Sequence, residues 1–91
     1  MSRILIKGTQ IAVPNTVGSA SSFSNATVIR LVNPSANDRI VTVSENNSGS
    51  ATIGTFTMLP ETTEIIEKSP THVVHVGGGT DIKGAAIGFT N

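Results

Sequence analysis

The sequence predicts an all-β fold, a small antiparallel β-sandwich of about seven or eight short strands, and three observations predict it. Ile and Val together number 19 against three Leu, with 12 Thr besides, in a chain of 91 residues. β-branched side chains crowd the preceding turn of a helix and fit a pleated surface. Clusters of Gly, Pro, Asn and Ser recur at intervals of about 8–12 residues, the spacing of turns between short strands. No window shows the apolar period of an amphipathic helix. One domain is all that this length accommodates.

The elements follow in order. Arg3 to Lys7 reads as a short strand with Ile4 and Ile6 on one face, and Gln10 to Val13 as a second piece stopped by Pro14. Residues 1–14 are therefore an N-terminal arm or edge strand, and 15–91 the sandwich domain. Asn15 to Asn25 is small and polar, a connector anchored to the core by Phe23. Ala26-Thr-Val-Ile-Arg-Leu-Val-Asn33 is the densest β-branched run and is predicted to be an interior strand. Its alternation puts Ile29 and Leu31 on one face and Val28, Arg30 and Val32 on the other, a face only partly wet. The turn at Pro34 to Asp38 predicts an antiparallel hairpin with the strand Arg39 to Glu45, which sets Val41 and Val43 on one side. Asn46 to Ser50 is a turn. Ala51 to Leu59 is a strand with a bulge at Gly54 and with Phe56 and Met58 inward. Strands at 63–68, 72–76 and 81–89 complete the chain, and all three Phe, Phe89 included, are expected to be buried.

Composition bounds the function. Six basic residues balance six acidic ones and charged residues are 13% of the chain, so the molecule lacks the self-repulsion that keeps small domains apart. That predicts a homo-oligomer. The basic residues form no cluster and Trp and Tyr are absent, which argues against nucleic acid. No apolar run approaches the ~20 residues of a membrane span, and the start reads as no signal peptide, so a soluble protein with no membrane partner is expected. Cys is absent, removing disulfides and thiolate metal sites.

The candidate chemistry is thin. His72 and His75 are three apart and point to opposite faces of a strand, which predicts no metal site. Gly77-Gly-Gly-Thr-Asp-Ile-Lys-Gly84 lacks the spacing and the helix of a phosphate cradle and reads as a hairpin turn. Glu61, Glu64 and Glu67 alternate faces, so they form no carboxylate pair and instead keep an edge from mispairing. No cofactor and no catalytic residue is expected, and the reading is non-enzymatic.

Four phrases carry a resemblance: Val28-Ile-Arg-Leu-Val-Asn-Pro-Ser35, Ile40-Val-Thr-Val43, Gly54-Thr-Phe-Thr-Met-Leu-Pro-Glu61 and Ile65-Ile-Glu-Lys-Ser-Pro-Thr71. Over residues 15 to 91 the series resembles small immunoglobulin-like β-sandwich structural and decoration proteins of tailed phages, of the cyanophage and marine phage type, while the strand pattern by itself leaves an immunoglobulin-like or a jelly-roll-like sandwich open. The paired Cys, the core Trp and the corner Tyr of true immunoglobulin domains are missing. The resemblance implies a virion structural protein, assembled in the host cytoplasm, that decorates the capsid as a cement protein. Its partners would be the major capsid protein or other virion proteins. A neck or tail protein, or a host-surface ligand-binding sandwich, stays open as the alternative. Candidate contact residues are Ile4, Ile6, Ile11 and Val13 in the N-terminal segment, which could pair with a neighbour or be an ordinary first strand, together with Val28, Arg30 and Val32 on the half-wet face.

Overall fold

The computed structural model describes residues 3–48 and 51–90 and is all-β apart from one 3-10 turn at Val17–Ser19. Its strands are β1 (Arg3–Ile6), β2 (Ile11–Ala12), β3 (Val28–Asn33), β4 (Arg39–Ser44), β5 (Thr52–Met58), β6 (Thr62–Glu67), β7 (Val73–Gly77) and β8 (Lys83–Thr90). The expected turn at 46–50 is described as far as Ser48; Gly49 and Ser50 lie outside the described residues.

Two antiparallel sheets face each other. The larger has the order β1-β8-β3-β6, with β2 also paired to β8, and the smaller the order β5-β4-β7. The carbonyls of Ala86 and Ile82 accept from Lys7 N at 3.0 Å and Val13 N at 2.8 Å. Carbonyls four apart on a strand point to the same edge, so residues 3–13 run along one side of β8 with an interruption at 8–10. The chain then crosses to the smaller sheet. Pro14 O accepts from Val76 N at 2.9 Å, and Ser21 bridges Val74 antiparallel, so segment 14–21 covers the free side of β7.

The pairings are nested. First strand pairs with last, β3 with β6 and β4 with β5, while the stretch after β2 lies against β7. This is a long hairpin rolled up on itself, and rolling adds the contacts β3·β8 and β4·β7. The result is a jelly roll. An immunoglobulin sandwich instead keeps its last strand in the sheet of the preceding one, whereas here β7 and β8 lie in opposite sheets.

β3 is an interior strand, as its composition requires, and its residues alternate between half-buried and buried along its length. Ile29, Leu31, Val13 and Ile82 enter the core from the larger sheet, Val41, Met58, Val74 and Val76 from the smaller, and Phe23 from the connector. Phe56 is partly buried and packs against this core. Gly84 is required by close approach: a Cβ there would lie 2.9 Å from Leu31 Cδ2 and from the Phe23 ring. A bulge falls beside Gly54, where the β4–β5 register shifts between Val43 and Ser44 and leaves Ile53 unpaired.

The expected hairpin between residues 26–33 and 39–45 does not form, because β3 and β4 belong to different sheets and Pro34–Asp38 arches between them. Asn33 is the cause. Its side chain is fully buried, and its Nδ2 donates to Asn37 O at 2.8 Å, Leu59 O at 3.2 Å and Met58 O at 3.3 Å. Its Oδ1 accepts from Ser35 N at 3.0 Å and Ser35 Oγ at 2.7 Å. One amide thus folds the arch and ties it to the end of β5.

The β7–β8 connection is held from β4. Arg39 Nε donates to Asp81 Oδ1 at 3.0 Å and Nη2 to Oδ2 at 2.9 Å, a bidentate pair. The guanidinium lies against Gly79, where a Cβ would be 3.1 Å from Nη2, and Gly78 has φ +101. Hydrogen bonding to Arg39 holds the Asp81 carboxyl below the usual carboxylate range.

Candidate interaction surface

Five of the seven residues singled out in the sequence share the outer face of the larger sheet. Antiparallel partners point to the same side. Ile29 and Leu31 face the core, so Val28, Arg30 and Val32 face outward, as expected. Register carries this face across the sheet: Arg30 stands between Ile65 and Ala85, and Val32 between Thr63 and Lys83. Alternation along β8 adds Ile87 and Phe89, and these bring in Ile6 and Ile4 as their direct partners on β1.

Ile6 is 67% exposed, Phe89 53%, and Ile4 and Ile65 each 43%. Ile87, at 3%, is covered by its neighbours. The face is therefore a largely apolar sheet surface with the Arg30 guanidinium in its middle and with Glu67 and Lys83 beside Val28 and Val32. Arg30 makes no hydrogen bond or ion pair among the described residues, where Arg39–Asp81 is the one salt bridge.

The other two candidates fall elsewhere. Val13 is fully buried and is a core residue, so it offers no contact surface. Ile11 pairs with Gly84, which puts it on the inner side of the sheet, at the rim. There it lines a cavity of about 130 Å³ with Phe23 and Ser21. Residues 3–13 are seated along β8 and do not stand free as an arm. Phe89, expected to be buried, is exposed because it sits near the end of β8, opposite the exposed Ile4.

Sequence reasoning missed Ile65, Ile87 and Phe89 as members of this face. Their alternation was legible, but not which strands would lie beside them. It also missed Lys68, which is buried at the end of β6 with Nζ donating to Ala26 O at 2.7 Å, Ser69 O at 3.3 Å and Pro70 O at 3.4 Å. Desolvation pushes its pKa down.

Concave features are open or small: a shallow cleft of about 540 Å³ lies beside Thr27, Glu67, Lys68 and His72. A cavity of about 270 Å³ lies between Lys7, the loop 23–27 and Ala86–Ile87. It is bordered by three consecutive left-handed residues, Phe23, Ser24 and Asn25, at φ 54, 57 and 60. Its volume is just under the usual range for small-molecule sites, about 300–1,000 Å³. Among the described residues no group of three His, Cys, Asp or Glu could hold a metal ion. Compared with models of known families, with curated proteins and with solved structures, the chain matches none.

Proposed function

We propose that this chain is a non-enzymatic structural protein of a phage virion, a capsid decoration or cement protein that docks on the capsid through the outer face of the larger sheet. The observation that carries the reading is the exposed apolar face built from Ile4, Ile6, Val28, Arg30, Val32, Ile65 and Phe89. A monomer leaving such a surface in water is poorly protected against association, and zero net charge adds no repulsion. Arg30 gives the face direction: an unpaired guanidinium inside an apolar surface favours a partner that brings a carboxylate or backbone carbonyls to it. Jelly rolls recur in viral capsid domains, which supports the reading by analogy of fold alone.

A mass-spectrometric census of purified particles tests this directly. Hundreds of copies per particle are expected of a decoration protein; a count of six or twelve would move it to the neck or tail, and absence would end the virion reading. Purified protein added to undecorated particles should bind, and Ile6→Asp, which lies on the exposed β1, should bind far less while keeping the wild-type melting temperature.

A second reading, a host-surface ligand-binding module, is favoured by one observation, the exposed Phe89 ring. Aromatic faces stack on sugars, and jelly rolls also serve as lectins. A glycan-array signal abolished by Phe89→Ala would establish it over the first.

A further inference from the structure

We propose that β5 is an edge along which two copies of this chain pair, antiparallel about Thr55, to make one continuous sheet of the order β7-β4-β5-β5-β4-β7. A free sheet edge is a template for another strand, and proteins block the edges they need kept apart with charge, proline or covering chain. Three of the four edges here are blocked. Segment 14–21 covers β7, Glu61, Glu64 and Glu67 punctuate β6, and Arg3 and Lys7 bracket β1. β5 is different: it is seven residues long, and no charged residue lies anywhere between Glu45 and Glu61.

The side chains of β5 are complementary to themselves in this arrangement. With Thr55 opposite Thr55 of the second copy, each Phe56 stands opposite Gly54 of the other. A Cβ at Gly54 would meet nothing within 4 Å, so there is open room for the ring, and an aromatic laid across a glycine restores the packing that the glycine lacks. Phe56 is only partly buried within its own chain, beside a cleft of about 280 Å³ that Val43, Ile53 and Gly54 also line. At the bulge, Ile53 of the second copy would come beside Thr57, which is itself paired with Ile40. That covers two aliphatic side chains that are 50% and 45% exposed in the single chain.

A pairing of this length spans about 23 Å and is small for an interface, so the association is expected to be weak and concentration-dependent. It does not rest on the virion reading, since it concerns the free protein. Sedimentation or light scattering from micromolar to millimolar concentration should show wild-type protein passing from the mass of one copy to that of two. Thr55→Lys sets two ammonium groups face to face at the axis, and Gly54→Val fills the room that Phe56 needs. Both variants should keep the wild-type circular dichroism and stay at the mass of one copy. Wild-type protein that remains single at every concentration overturns the proposal, as does a folded variant of either kind that associates like wild type. If Thr55→Lys fails to fold, Gly54→Val decides alone.

Discussion

Replacing Asn33 by Ala should be among the most costly polar substitutions in this chain. The amide nitrogen has two hydrogens and three acceptors, so Met58 O and Leu59 O share one hydrogen, while Asn37 O takes the other. Two further bonds arrive at Oδ1 from Ser35. That makes four independent hydrogen bonds, each worth about 1 kcal/mol net, and the loss is about 4 kcal/mol. A domain of this length has about 5–14 kcal/mol in total, so the variant retains a fraction of its stability. At about 4–8 °C per kcal/mol, the melting temperature should fall by about 15–30 °C. Thermal and urea unfolding followed by circular dichroism read this out. Asn37→Gly is the control, because residue 37 joins the arch through its backbone carbonyl and N–H alone. A loss below about 1 kcal/mol for Asn33→Ala, or an equal loss in the control, would refute the assignment of the arch to this side chain.

Three further outcomes are expected. Leu31→Ala, at a fully buried interior position, should cost about 2–5 kcal/mol in urea unfolding; a cost near zero would place that face outside. Gly84→Ala drives a methyl to 2.9 Å from Leu31 and Phe23 and should cost about 1–3 kcal/mol, whereas a neutral result would mean that the Phe23 ring is not packed tightly on β8 there. The Asp81 carboxyl has a pKa lowered by Arg39, so the unfolded chain binds its proton first as pH falls. Its contribution is complete above the unfolded value of about 3.9 and is lost as pH drops below that through the folded value. Wild-type stability should therefore decline more steeply below about pH 4 than that of Asp81→Asn, and parallel curves would show that the pair contributes nothing.

What was legible in the sequence was whatever depends on neighbours in the chain. The alternation of Val28, Arg30 and Val32 against Ile29 and Leu31 is a local property of a pleated strand, and both faces fell where the pattern put them. The bulge beside Gly54 announced itself by an interrupted β-branched run. Partnership was not legible. Asn33-Pro34-Ser35 has the composition of a hairpin turn, and nothing in it shows that the Asn33 amide turns inward to carbonyls 25 and 26 residues away. Phe89 carries no mark of exposure, since its fate depends on lying opposite the exposed Ile4. Val13, next to Pro14, looked like the end of a loose segment, yet its N–H bonds Ile82 O and its side chain fills the core. The contact face was half visible for the same reason: its members on β3 and β1 were recognisable separately, and only the last strand joins them.

The nested pairing has a kinetic consequence. Only β4 and β5 can zip together as soon as they are made, because they are the innermost pair of the roll. β3 must wait for β6 and then for β8, and β1 waits for nearly the whole chain before it can pair with Arg3 opposite Thr90. Closing such large loops costs entropy before the contacts return it, so refolding is expected on the millisecond-to-second scale of high contact order. During that interval β3 has neither of its sheet neighbours, so nothing fixes the Ile29 and Leu31 side chains against the β4–β5 pair. A nascent chain at high expression is then most vulnerable while residues 28–58 exist and β8 does not, and slower synthesis or lower temperature should raise the soluble yield.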